Sequence, residues 1–358
     1  MHMTVTLPRL LPRPRLTLCL ASGALLLLVG CRPAPPPAAP APEPPPTPAP
    51  APQIRWQWLN TAELQATEAL IAAADQGPLA ADAPERKAFL KAYAAAFAEL
   101  SPADAPVLSI VRRLWELGAA ARRAHLSAGE VRRAVGLGKA TAPPSAGKAS
   151  AQQPVPGARL VSLDALAPQV RKLLQAAQRD GKPTTAFVQQ WVRRVAIVED
   201  PAFLSPDLPL KCEGAVETLT GTVFLTERDA ITGETRPPFK AAAALVHEAE
   251  HVRWFYTVAG DDPRMLFKAP DERNAYRGMF LFLRDVRLNP AAAADASALE
   301  ADMQKWRGIL AQANTLLGYP ADDLTPRHDL LVADEALMTD PVGAVAMQVT
   351  QPHTDGPQ

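Results

Sequence analysis

Cysteine is scarce: three in 358 residues, at positions 19, 31 and 212. That excludes a disulfide framework and a cysteine-rich zinc site. An excess of one charge is missing too, since 37 Lys and Arg balance 37 Asp and Glu. No broad basic surface follows from a net charge of zero, so nucleic acid is not among the expected partners. Only one stretch is continuously apolar, which excludes a multispan membrane protein. Glycine is modest at 19 residues, whereas proline reaches 38, about twice average usage. The 48% apolar and 6% aromatic content is that of a soluble globular chain.

The prolines cluster behind an amino-terminal address. Residues 1–15 carry Arg9, Arg13 and Arg15 without an acid, and an apolar run follows over 16–29. That run is too short for a comfortable membrane span and suits a secretory signal. It ends in Leu28-Val29-Gly30-Cys31, which resembles the lipobox of bacterial lipoproteins. The resemblance implies lipid on Cys31, a signal over residues 1–31 and a place in the bacterial cell envelope. Arg32, where Asp is not found, implies the outer membrane. Residues 32–53 hold 12 prolines and six alanines, a stiff polyproline tether able to reach about 70 Å. Loss of the signal removes three Arg and no acid, so 34 basic and 37 acidic residues leave a net charge of −3.

Beyond the tether the sequence predicts a mostly α protein with a small β-sheet, an α+β class. Phe89, Leu90, Tyr93, Phe97 and Leu100 recur at helical spacing behind a capping start at Asp82-Ala-Pro-Glu85. Val107, Ile110, Val111, Leu114 and Leu117 form a second stripe, and Ser127-Ala-Gly-Glu130 matches a capping box. Residues 54–135 are therefore expected to be a helical region. Residues 136–159 lack an apolar period and are expected to be a flexible linker. A catalytic domain is assigned to 160–345 and a disordered tail to 346–358. Within that domain Leu163, Leu166, Val170, Leu173, Leu174 and Ala177 predict one helix, and Phe187, Val188, Trp191, Val192 and Val195 another. Thr218, Thr220, Thr222, Phe224 and Thr226 alternate with Leu219, Gly221, Val223 and Leu225, predicting a strand with one polar face. Leu299, Met303, Trp306, Leu310, Ala313 and Leu317 predict a long helix stopped by Gly318.

The chemical signal lies in a helix opened by Pro237-Pro238 and closed near Gly260. It contains His247-Glu248-Ala249-Glu250-His251. Histidines four apart stand one turn above each other, so both imidazoles can reach one Zn2+. Glu248 projects about 100° around the helix from His247, away from the ligand plane and toward a water on the metal. The apolar flanks, with Val252, Trp254, Phe255 and Tyr256 on one side, argue for a buried helix whose histidines need partners. A third protein ligand is required. Trp254 and Thr257 exclude a metzincin continuation. Glu272, with Ala275 three residues later, stands 21 residues after His251; Asp261 and Asp262 are the other candidates.

This pattern resembles the gluzincin clan of zinc metallopeptidases, the thermolysin-like and minigluzincin group, over roughly residues 160–317. The resemblance rests on the His-Glu-x-x-His helix and on Asp271-Glu272-Arg273-Asn274-Ala275-Tyr276, which fits a Glu-x-x-Ala ligand helix. It departs from the form with Asp four residues after the Glu, because Tyr276 occupies that place. It implies a zincin-like core, one Zn2+ on His247, His251 and Glu272, Glu248 as general base, and a polypeptide substrate. It also implies an edge strand upstream of the metal helix, assigned to 218–226, that pairs with substrate. An oxyanion donor is sought among Tyr276, Tyr256 and His328. The resulting expectation is a lipid-anchored zinc endopeptidase. Its competitors are an envelope lipoprotein stapled by a closed zinc site, with Cys212 or His328 as fourth ligand, and a zinc amidase acting on cell-wall substrates.

Overall fold

The structure is a computed structural model, described over residues 56–100, 108–145 and 157–327 apart from 162, 200–202, 205–213, 229–232, 264–268 and 290–295. All of these fall in the unit Ala51–Gln358. The signal, Cys31, the tether, Cys212, His328 and the tail lie outside the described residues. No helix among the described residues is long and apolar enough to cross a membrane.

Four helices open the fold: α1 (Thr61–Ala74), α2 (Pro84–Ala98), α3 (Leu108–Arg123) and α4 (Ala128–Ala134). Strand β1 (Ala158–Val161), helix α5 (Pro168–Ala176), the β2 (Gln178–Arg179) and β3 (Lys182–Pro183) hairpin, helix α6 (Thr184–Trp191) and strands β4 (Arg194–Val198), β5 (Gly214–Glu217) and β6 (Thr222–Thr226) follow. Three long helices complete it, α7 (Pro238–Thr257), α8 (Ala269–Arg287) and α9 (Ala296–Leu316). The class is mostly α with a small mixed sheet, as the sequence implied.

Local chemistry sets the boundaries. The expected capping box is present at α4, where Ser127 and Glu130 satisfy each other's backbone N–H groups, and Asn60 and Glu63 do the same for α1. At α2 the helix starts on Pro84 after Ala83, with no side-chain cap, so Asp82 is not the capping residue. Gly318, with φ +77°, follows α9 as expected. The stripe from Leu163 to Ala177 is not one helix: a 3-10 turn at Leu163–Ala165 precedes α5, which starts on Pro168. Val192 and Val195 also leave the predicted helix, since α6 ends at Trp191 and Val195 belongs to β4.

The four-stranded sheet has the order β1-β4-β6-β5, with β4 and β6 parallel and the other pairs antiparallel. Val195, Val216, Val223 and Leu225 face the main core under α7, whereas Ala158, Ala196, Val198 and Phe224 face Leu108 and Val111 of α3. Both faces are thus covered, and every residue of β6 is buried. The predicted strand at 218–226 is therefore present only over Thr222–Thr226, and it has no polar face. Residues 218–221 are the turn between β5 and β6. The Glu217 carboxylate accepts the Leu219 and Thr220 N–H groups at 3.0 and 2.8 Å, holding Thr220 in the turn. Gly221 has φ +64°, and a Cβ there would lie 2.5 Å from the Trp191 carbonyl. The edge strands are β1 and β5, and β6 is internal.

One continuous apolar cluster runs from Leu70 of α1 to Ala313 of α9. The helices of residues 54–135 therefore share a core with the sheet and with α7–α9. Phe224, fully buried, meets Trp115 of α3 at 5.5 Å and Phe203 at 6.1 Å. Its truncation to Ala would cost about 3–5 kcal/mol.

Candidate metal centre

Helix α7 is buried around most of its circumference, including Leu245, Val246, Ala249, Val252 and Trp254. A helix so enclosed holds its side chains in fixed directions. It packs most extensively on α8, which packs in turn on α9. Ala275 of α8 is fully buried, and at Gly278 of α8 an added Cβ would lie 2.6 Å from Glu250 Oε1 of α7.

The α7–α8 contact brings His247, His251 and Glu272 together, with ligand atoms all within 4.8 Å of one another. The two Nε2 atoms lie 3.1 Å apart, and Glu272 carboxylate oxygens stand 3.6 Å from each. Donors bound tetrahedrally at ~2.0–2.1 Å would be separated by about 3.3 Å. Two imidazole nitrogens and one carboxylate oxygen at this spacing could hold one metal ion.

The surroundings fit a cation. His251 Nδ1 meets Asp271 Oδ1 at 2.9 Å, with both side chains almost wholly buried. This fixes the ring and turns Nε2 toward His247 and Glu272. Burial opposes the charged form of His251, but Asp271, Glu272 and Glu248 outweigh it and raise its pKa to about 10. The acids therefore favour positive charge at this point. Burial, with His251 beside it, pushes His247 well below the usual imidazole range. Burial also lifts Glu248 to about 7, with Asp271 adding to the rise and His251 and Arg236 opposing it.

Glu248 turns toward the sheet. A Cβ at Gly214 of β5 would stand 3.1 Å from Glu248 Oε1, so glycine lets the edge strand approach the carboxyl closely. The remaining expected residues fall in different places. The Tyr276 ring packs on His247, with centroids 4.9 Å apart. Tyr256 instead donates its hydroxyl to the Leu219 carbonyl at 2.6 Å and anchors the β5–β6 turn. Asp261, the alternative ligand, pairs with Arg133 at 2.7 Å. His328 lies outside the described residues. Glu250 is buried between Arg179 and Arg253.

Two residues of this centre escaped the sequence reading. Asp271 precedes Glu272, and adjacent positions on a helix diverge by about 100°, so the pair reaches opposite nitrogens of His251. Two consecutive acids in the first turn of the second helix were the available signal. Trp306 stacks on Tyr276 at 5.5 Å and 18°, but its stripe position marked it only as core. No family model, curated protein or solved structure matches the chain.

Proposed function

We propose that the protein is a zinc-dependent endopeptidase, held at a bacterial cell envelope by lipid on Cys31. The observation that carries this reading is the convergence of His247, His251 and Glu272 with Glu248 beside both the metal group and the edge strand. Two nitrogens and one carboxylate suit zinc and leave a position for a non-protein ligand. A bound Zn2+ supplies Lewis acidity and an acidified water.

The chain's own residues do the rest. Strand β5 is one of the sheet's two edges among the described residues, the one beside Glu248, with Gly214 and Ala215 partly exposed and Val216 and Glu217 buried. An extended peptide that pairs there gains main-chain hydrogen bonds and passes its backbone beside Glu248. Glu248 accepts a proton from the attacking water and returns it to the leaving amine, a task suited to a carboxyl near neutrality. Asp271 holds His251 in the tautomer that presents Nε2. Tyr256 holds the turn that ends β5.

Mutation of Glu248 to Gln keeps the shape of the side chain and removes the base. Hydrolysis of a denatured protein is expected to fall by about 10²–10⁴-fold, with zinc retained. Undiminished hydrolysis with zinc bound would overturn the assigned base. Glu272→Ala is expected to release zinc, and unchanged binding would move the third ligand elsewhere.

A further inference from the structure

The two histidines of the metal group are supported differently. His251 has the buried carboxylate of Asp271 on its Nδ1. The Nδ1 of His247 is also buried, yet it finds no hydrogen-bond partner among the described residues. A metal-binding imidazole ordinarily gives its other N–H to an acceptor, which fixes the ring. Something else must set the ring of His247.

Its neighbour is aromatic. Tyr276 lies one turn beyond Glu272 on α8, so the carboxylate and the phenol ring address the same histidine. The His247 and Tyr276 rings stand 4.9 Å apart at 54°, and an aromatic face is a weak acceptor for an N–H. Tyr276 is stacked in turn on Trp306, at 5.5 Å and 18°. Trp306 is half-buried against the core, on a helix whose Leu299, Met303 and Leu310 are buried. Lys240 of α7 also pairs with Asp302 of α9 at 3.6 Å. Lys305 covers the Trp306 ring, with its Nζ 4.4 Å from the centroid.

We infer that Tyr276 and Trp306 form an aromatic clamp that positions His247 as a metal ligand in place of a hydrogen bond to Nδ1. Helix α9 thereby belongs to the metal centre although it contributes no ligand. Trp306 is a positioning residue, acting through Tyr276. The inference rests on the zinc reading given above.

The test compares Trp306→Phe, which keeps an aromatic face, with Trp306→Leu, which fills space without one. Zinc affinity is measured by competition with a chromophoric chelator, and the visible absorption of Co2+ bound in place of zinc reports ligand geometry. The Phe variant is expected to stay within about threefold of wild type, and the Leu variant to bind about tenfold more weakly with an altered Co2+ spectrum. Wild-type affinity and spectrum in the Leu variant would overturn the clamp alone. Equal losses in both variants would also overturn it, because the aromatic face would not be the cause. A wild-type protein that takes up no zinc would overturn the zinc reading, and the clamp with it.

Discussion

Glu248 and Glu250 stand two residues apart on one helix, and both are almost wholly buried, at 7% and 1% exposure. Their carboxyls are nevertheless driven in opposite directions. For Glu248 burial prevails and raises the pKa to about 7. For Glu250 burial also pushes upward, but the guanidinium groups of Arg179 and Arg253 outweigh it and lower the pKa. The difference lies in what each meets. Glu250 finds two arginines and the α8 backbone at Gly278, whereas Glu248 points at a partly exposed edge strand beside the metal group. Burial alone therefore does not distinguish a structural carboxylate from a chemical one; its charged neighbours do.

The comparison can be broken from either side. The largest effect is expected at Glu250. Replacing it with Gln leaves two guanidinium groups facing a neutral amide in a buried site, at a cost of about 3–5 kcal/mol, measurable by urea unfolding. Because its carboxyl is held below its unfolded value of 4.5, its stabilisation is present above that pH. It is lost as pH falls through the folded pKa. The deficit of Glu250→Gln should therefore shrink in acid; a pH-independent deficit would mean that packing, not charge, is at work.

Glu248 should show the opposite sign. Its carboxyl binds a proton more tightly folded, near 7, than unfolded, at 4.5. Metal-free wild type consequently loses stability as pH rises through that window. Glu248→Gln is expected to exceed wild type by about 1–3 kcal/mol at pH 8, with the gap closing toward pH 5. A destabilised Gln variant at pH 8 would contradict the assigned environment. A smaller effect is expected at Gly278, where an added Cβ would lie 2.6 Å from Glu250 Oε1. Gly278→Ala should cost about 1–2 kcal/mol without changing zinc content, and a neutral result would show that the ion cluster can shift freely.

What the sequence made legible was the chemistry carried by spacing. His247, Glu248 and His251 follow from the helical period alone, and Glu272 followed from its position relative to Ala275 and from family resemblance. Ser127 and Gly318 announced helix ends by their side-chain and backbone preferences. Apart from β6, the strands of the sheet were hidden for a physical reason. Covered on both faces, β4 carries no polar alternation, so Val195 blended into the preceding helical stripe. The alternation over 218–226 joined Thr218 and Thr220 of a turn, where Glu217 holds Thr220, to the buried threonines of β6. Edge strand β5 is only four residues long, too short to show a period. Asp271 and Trp306 act on histidines distant in sequence, a relation that only the packing of α7, α8 and α9 creates.

The most direct test of the zinc peptidase reading is metal content measured together with activity. The purified protein should contain one zinc per chain and hydrolyse an unfolded protein. A chelator should remove both zinc and hydrolysis, and stoichiometric zinc should restore both. Hydrolysis that persists in the chelated, zinc-free protein, or a zinc-loaded protein that cleaves no peptide bond, would contradict the account.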